Sequence, residues 1–503
     1  MAAIVATLDR VAIAAGGTDE TPVAMTVMSA LAEGADRLIA GAVLARPDAE
    51  LEAALPVARA DYRRDFDDQA SRAEFDELLG RAVEVTNLPV APSREEAYQQ
   101  AGRYVVERSD VLIAIWDGRP ARGVGGTAEV VAYARQRGVP VVAIDPRGGI
   151  VLDETDAGVG GRARLELARY NRGSLPGGRF EAEIRRNTSA RRAAAEAAGV
   201  AGARIDALSA WLWPYYVRAD MLAGRHQRWY LRLGSGLFVL AATAVAAAAG
   251  QFLFMPESSL LVWLEVGLMV ALLLGVVVGR RLQLHERWIS YRFLAERLRS
   301  AYFLAIAGMG SWREGGLERL PLSKGPQDWL RRAFAEVWRR RPPDMPRDSE
   351  VAGVRDFLAE AWIREQEAYH RLSSRRNADR QRVTTAAITA LFGATLIAAI
   401  GHALQIGRHE PAEGAANVLV FAAVVLPAIA AALGGIRAQR EYHRHAERFA
   451  AMAHHLADVA SRMAVAPDLE TVRAVASAAE ELMLEESRDW FVVVRFHNFE
   501  LHV

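Results

Sequence analysis

The sequence predicts a two-part chain: an α/β domain on a doubly wound parallel sheet, then a membrane α-helical region. In the latter, four transmembrane helices form two repeated hairpins with long cytoplasmic helices. Three observations carry this. Strand and helix signals alternate from about Met25 to Asp145. Four stretches are long, apolar and almost free of charge. A Tyr-x3-Ala-Glu-Arg pattern occurs twice, roughly 150 residues apart, which marks a duplicated module. The expected divisions are 1–150 for the α/β domain and 151–210 for a linker with a helical segment. Residues 211–345 and 346–503 are the two membrane modules.

The α/β domain reads in order. Ala3–Ala15 has a helical pattern closed by Gly16-Gly17. Strands are expected at Met25–Met28, Glu50–Leu55, Val83–Leu88, Asp110–Trp116 and Val139–Asp145. Helices are expected near Glu33–Ala45, Ser71–Ala82, Arg94–Arg108 and Thr127–Arg137, with Ser93 and Glu96 spaced as a capping box. The continuous apolar run Val111–Ile115 suits a strand covered on both faces, as in parallel sheets. In such folds ligands bind beyond the carboxyl ends of the strands.

Two loops lie there. The first is Ser29-Ala30-Leu31-Ala32-Glu33-Gly34-Ala35-Asp36-Arg37. The second runs from Trp116-Asp117-Gly118 through Arg122 into Gly123-Val124-Gly125-Gly126-Thr127-Ala128-Glu129. Glycines let backbone approach a phosphate closely, and the following helix directs free amides at the anion. Thr127 can cap that helix or donate to a phosphate oxygen, Arg122 adds positive charge, and Glu129 can accept from a ribose hydroxyl. Such turns also serve as plain tight connections, but this one follows an apolar strand and opens a helix.

The spans follow. A bilayer needs about 20 helical residues, and Leu233–Met255, Leu260–Gly279, Val383–Gly401 and Ala415–Ile436 meet that length. Glu265 is their one charge; it either lines a pore and favours cations or reaches the nearby outer interface. Pro427 is expected to kink the fourth span or to mark a hinge. Small residues at Ala241–Gly250 and Ala428–Gly435 suit close helix packing. Basic residues flank the spans on one side. Arg225, Arg228 and Arg232 precede the first, and Arg280, Arg281, Arg287 and Arg292 follow the second. Arg375, Arg376, Arg380 and Arg382 precede the third, and Arg437, Arg440 and Arg444 follow the fourth. Both hairpins are therefore expected to point outward with both termini inside.

Composition excludes several alternatives. The 61 Lys+Arg balance 61 Asp+Glu, so there is no global electrostatic case for nucleic acid. No cysteine is present, which removes disulfides, thiolate metal sites and cysteine nucleophiles. Met1–Gly17 has Asp9 and Arg10 inside it and does not read as a signal peptide. His454 and His455 are adjacent and face different ways, so no metal site is expected.

The repeat is carried by Tyr291 with Ala295-Glu296-Arg297 and by Tyr442 with Ala446-Glu447-Arg448, supported by Asp328-Trp329 and Asp489-Trp490. Glu296 and Arg297 are adjacent, so they point to different sides of a helix. The motif either packs long helices by ion pairs or takes a direct part in gating. A membrane hairpin followed by this motif resembles the SLATT family of two-helix membrane effector modules, here as two tandem copies from about Trp211.

The α/β domain resembles the SLOG superfamily, Rossmann-like domains related to cytokinin-activating LOG enzymes and to the sensor region of melastatin-type TRP channels. Leu31–Arg37, the Gly-Gly-Thr-x-Glu run at Gly125–Glu129 and Ser71-Arg72-Ala73-Glu74-Phe75 carry the resemblance. It implies that Glu33, Gly34, Asp36, Arg37, Gly125, Gly126, Thr127 and Glu129 border a nucleotide or an NAD- or ADP-ribose-derived ligand. The family opens with a strand, whereas this sequence opens with a helix, so half of the phosphate site is expected to be missing.

Together the resemblances imply a homo-oligomeric, ligand-gated effector of the bacterial inner membrane, of the kind found in anti-phage systems. They also leave open a membrane-tethered LOG-like hydrolase of the N-glycosidic bond, with Glu129 as the catalytic carboxylate and Arg37 or Arg122 neutralising phosphate.

Overall fold

A computed structural model of the chain describes residues 1–16, 23–119, 126–155, 161–309, 328–342, 350–406 and 413–495. The chain divides into two compact units, Met1–Gly173 with Lys324–Trp329, and Ser174–Ser323 with Leu330–Val503.

The first unit runs α1 (Ala2–Ala15), β1 (Thr26–Ser29), α2 (Ala35–Leu44), β2 (Glu50–Leu55), α3 (Arg59–Tyr62), a 3-10 turn (Arg63–Asp65) and α4 (Gln69–Gly80). It continues with β3 (Glu84–Asn87), α5 (Arg94–Arg108), β4 (Leu112–Ile115), α6 (Thr127–Gln136), β5 (Val141–Ile144), β6 (Ile150–Asp153) and α7 (Gly161–Arg172). β2 and α5 have the limits the sequence predicts. Ser93 caps α5 by accepting from the Glu96 amide at 3.2 Å. α1 is closed by Gly16 in the left-handed region, with its amide bonded to Ile13 O.

The strands form two ladders, β1-β2-β3 and β4-β5-β6, in place of the single doubly wound sheet expected. β1, β2 and β3 are parallel, and so are β4 and β5. Side chains join the two ladders: Ile4 and Leu8 of α1 pack with Ala42, Val43 and Ile144, and with Val27, Ile113 and Ile115. The opening helix thus contributes core where the resemblance implies a strand. β6 pairs antiparallel with β5, so the segment expected to be a linker holds a strand and α7.

The second unit is helical: α8 (Gly177–Ala198), α9 (Gly202–Phe254), α10 (Ser259–Leu282), α11 (Leu284–Ile306), α12 (Asp328–Arg339), α13 (Val351–Leu358), a π-helical turn (Ala359–Arg364), α14 (Glu365–Ala403), α15 (Glu413–Arg440), α16 (Tyr442–Ala464) and α17 (Leu469–Arg495). Among the described residues four helices are long and apolar enough to cross a membrane, and they hold the four expected stretches save Met255, which follows the end of α9. Their faces leave large apolar groups exposed, among them Trp263, Met269 and Leu273 of α10 and Phe392, Leu396 and Ile397 of α14. α15 runs through Pro427 as one helix.

These helices pack in the order α10, α9, α15, α14. Small residues set the distances, at Gly435 in a stretch the sequence singles out and at Gly275 outside it. A Cβ added at Gly435 would lie 2.3 Å from the Phe238 ring, and one at Gly275 would lie 2.6 Å from Leu237. Gly435→Val is expected to cost about 1–3 kcal/mol by overpacking and to lower the melting temperature in detergent. Gly434→Val, with no atom within 4 Å of its added Cβ, serves as the control; equal effects of both would refute a seam at Gly435.

Each hairpin breaks at a left-handed residue after its second apolar stretch, Gln283 (φ 48°) and Glu441 (φ 45°). The motif copies stand differently to these breaks. Gln283 lies two helical turns before Tyr291, while Glu441 immediately precedes Tyr442. In the first copy Glu296 pairs with Arg292 at 2.5 Å and also with Arg299, and Arg292 reaches Asp220 of α9 at 2.8 Å. Arg297 points elsewhere, to Glu480 of α17 at 2.9 Å, with both side chains 3% exposed. In the second copy Glu447 is exposed and meets His443 at 3.4 Å. The first copy is a buried ion-pair network and the second is a surface turn. Asp328 opens α12, whereas Asp489 and Trp490 fall deep within α17.

Candidate functional site

The loop Ser29–Gly34 leaves β1 at its carboxyl end and turns into α2. Gly34 occupies the N-cap with φ 92° and ψ −109°, a conformation open to glycine. Leu31 also has positive φ (58°), and its side chain is fully buried as a plug under the loop. Asp36 organises the turn. Its Oδ2 accepts from the Ser29 hydroxyl at 3.1 Å and from the Ala32 amide at 3.4 Å. Ser29 Oγ in turn accepts from the Leu31 amide at 3.0 Å. Burial pushes the Asp36 carboxyl above its ordinary value, while the Ser29 hydroxyl and the Ala32 amide pull the other way.

The Arg37 side chain is 1% exposed and held beneath the loop. Nε donates to Leu31 O at 3.1 Å, and Nη1 donates to Ser71 O and Oγ, both at 2.8 Å, and to Glu74 at 3.1 Å. The guanidinium also lies 4.3 Å from the Phe66 ring centroid. Arg37 therefore ties the Leu31–Arg37 loop to the Ser71–Phe75 segment. Two runs that the resemblance singled out separately meet at one side chain.

Aromatic residues complete this wall, and the sequence reading missed them. Tyr62, Phe66, Phe75 and Tyr98 form an edge-packed cluster with centroid separations of 5.1–6.0 Å. The Tyr98 hydroxyl donates to Asp65, which Arg94 also holds. Burial pushes the hydroxyls of Tyr62 and Tyr98 up. The available signal was position: Asp61–Phe66 follows the carboxyl end of β2, where α/β folds place ligands.

The second loop is described in part. Arg122, Gly123 and Gly125 lie outside the described residues. Trp116 donates its indole N–H to Arg119 O at 2.9 Å, and Asp117 accepts from the Arg119 amide at 3.1 Å. With Gly118 at φ 77°, Trp116–Arg119 is a tight turn. Gly126 takes the N-cap of α6 and Thr127 is its first helical residue, exposed. Thr127 therefore does not cap the helix. The N-terminus of a helix is favourable to an anion.

Helix α5 touches both loops. Tyr98 belongs to the aromatic wall under Arg37, and the next residue, Gln99, donates to Glu129 at 3.3 Å. Ser29, Asp36 and Arg37 thus interlock on one side, and Gly126, Thr127 and Glu129 gather on the other. Glu33 and Gly34 are exposed at the lip. The chemistry offered is an acceptor carboxylate at Glu129 and a helix N-terminus for a negative group, with the aromatic cluster buried behind the first loop as core. Among the described residues no group of His, Asp and Glu could hold a metal ion.

Fold and site define a mostly helical chain with four membrane-length apolar helices and a small N-terminal unit of parallel strands. No protein-family model, no curated protein and no solved structure matches the chain.

Proposed function

We propose that this protein is a membrane effector whose N-terminal unit binds a nucleotide-type signal and whose apolar helices respond to it. The observation that carries the reading is α5, whose successive residues Tyr98 and Gln99 hold the aromatic wall behind the first loop and Glu129 behind the second. The ligand is a nucleotide, or an NAD- or ADP-ribose-derived molecule, with its anionic group at the α6 N-terminus. Both hairpins point outward from the cytoplasm across a bacterial plasma membrane. Four spans are too few for a pore in one chain, so several copies assemble to form it. Nothing favours the LOG-like hydrolase specifically, because Arg37, one of its two candidate phosphate neutralisers, is committed to Leu31, Ser71 and Glu74.

The test uses the full chain in detergent with ATP, AMP, NAD and ADP-ribose. A ligand at a hundred times its Kd stabilises the folded state by about 2.7 kcal/mol, read as a rise in melting temperature without released base. Gly126→Asp places a good capping residue at the α6 N-cap, so folding is kept while its carboxylate occupies the anion position. That variant is expected to lose the ligand shift and the ligand-dependent conductance in liposomes. Multiple turnover would replace the sensor by the hydrolase. Absence of any shift with all four ligands would remove the nucleotide reading.

A further inference from the structure

The π-helical turn Ala359–Arg364 stands at the foot of α14, the helix that carries the third apolar stretch. Its sequence, Ala-Glu-Ala-Trp-Ile-Arg, has no proline or glycine and includes strong α-helix formers. Local preference is therefore for an ordinary α-helix, and tertiary contacts must hold the wider turn. Such turns absorb one extra residue and recur at functional sites.

The turn packs on α13 and α16 and is clamped from α8. Arg191, 9% exposed, donates to Ala361 O and pairs with Glu365, with Nη2 to Oε1 at 3.1 Å. Its guanidinium lies 5.3 Å from the Phe303 ring, on which the fully buried Trp362 stacks at 5.0 Å and 5°. On the other side of the turn, Gly353 of α13 packs so tightly on α8 that an added Cβ would lie 2.8 Å from Ala198 O. The clamp thus spans both ends of the turn. The arrangement also leaves Trp362 Nε1 and Gln366 Oε1 buried with no hydrogen bond from the protein, a penalty that a second register can relieve.

α8 is the first helix of the second unit, and the chain enters that unit at Ser174, whose carbonyl is held by Arg225 of α9 at 2.9 Å. We propose that the π-turn is a register switch and that Arg191 is its catch. When α8 shifts, the turn closes to α-helix, and α14 rotates by about 100° and advances about 1.5 Å, one residue of helix. The signal then enters the second hairpin through α14 although the first hairpin follows α8 in the chain. What moves α8 rests on the sensor reading above; the register change itself is read without ligand, so the two fail separately.

The chain has no cysteine, which makes disulfide trapping clean. Ser374 of α14 donates to Ala446 O of α16 at 2.8 Å, so Ser374→Cys with Ala446→Cys reports the present register. After one residue of rotation Ser373 takes that place, and Ser373→Cys with Ala446→Cys reports the switched one. In the full chain in liposomes, adding Arg191→Gln is expected to lower the first cross-link at least threefold and to raise the second. Neighbouring residues of α14 point their Cβ atoms about 100° apart around the helix, so a pair aligned for a disulfide in one register is misaligned in the other. Arg191→Lys keeps the charge without the fork and moves both cross-links the same way, should the glutamine variant not fold. Deleting Glu360 removes the extra residue and locks the present register, so the first cross-link then survives Arg191→Gln. Unchanged cross-links in both Arg191 variants, or loss of the first cross-link in the deletion background, would overturn the switch.

Discussion

Replacing Glu480 by alanine is expected to destabilise the helical unit by about 3–5 kcal/mol, because it leaves a buried guanidinium without its counter-charge. Glu480 and Arg297 meet at 2.9 Å with both side chains 3% exposed, and the Arg297 guanidinium lies 4.8 Å from the Phe334 ring. Burial outweighs the attraction of Arg297 and pushes the Glu480 carboxyl above its ordinary value. Burial also lowers Arg297, against the pull of Glu480. Removing both charges is therefore a different experiment from removing one. The double variant Arg297→Met, Glu480→Leu is expected to recover most of the loss, since apolar replacement of a buried pair is often neutral or stabilising.

The pH dependence has a definite sign. A carboxyl raised in the folded state contributes stability below its unfolded value, and that contribution is lost as pH rises through the folded value. The Glu480 contribution should accordingly fall between the ordinary 4.5 and the raised value. That part of the slope should vanish in the double variant. Thermal unfolding of the full chain in detergent, with hydrogen exchange followed in α11 and α17, reads both effects. A single Glu480→Ala variant as stable as the parent would show that the pair is not buried in the folded protein.

Arg37→Ala is the second large effect, expected at about 3–5 kcal/mol in the N-terminal unit. It strips partners from buried Leu31 O and from Ser71 O and Oγ, each worth about 1–3 kcal/mol when left unsatisfied. It also removes the cation from the Phe66 face, an interaction of about 0.5–2 kcal/mol. Arg37→Lys keeps one charge but not the fork that reaches Leu31 and Ser71 together, so it should recover only part of the loss. Hydrogen exchange should quicken first in Ser29–Arg37 and Ser71–Phe75. Loss of ligand binding with unchanged exchange in both segments would instead return Arg37 to direct ligand contact.

The site was legible in pieces. Leu31–Arg37 and Ser71–Phe75 stood out in the sequence as separate runs, and the structure joins them through Arg37. The aromatic wall was not legible, because Tyr62, Phe66 and Tyr98 are ordinary core-forming residues until α3, α4 and α5 bring them together. Thr127, which the sequence offered either as the cap of α6 or as a donor to a phosphate oxygen, lies one position past the N-cap. Gly126 holds that place because the helix start depends on how the preceding turn enters.

The sequence by itself determined the order of strands and helices from β1 to β5, save the short α3, and the four apolar helices. Both rest on patterns a few residues long: the period of a helix or strand, and runs without charge too long for chance. Only the tertiary structure decided which arginines among 61 basic residues are buried, that the parallel strands form two ladders, and that α14 begins on a π-turn. Those outcomes depend on partners far along the chain. Arg297 and Glu480 are 183 residues apart, and Arg191 and Glu365 are 174 apart. No local pattern encodes such a pairing, because burial of a charge is settled by which distant surface closes over it.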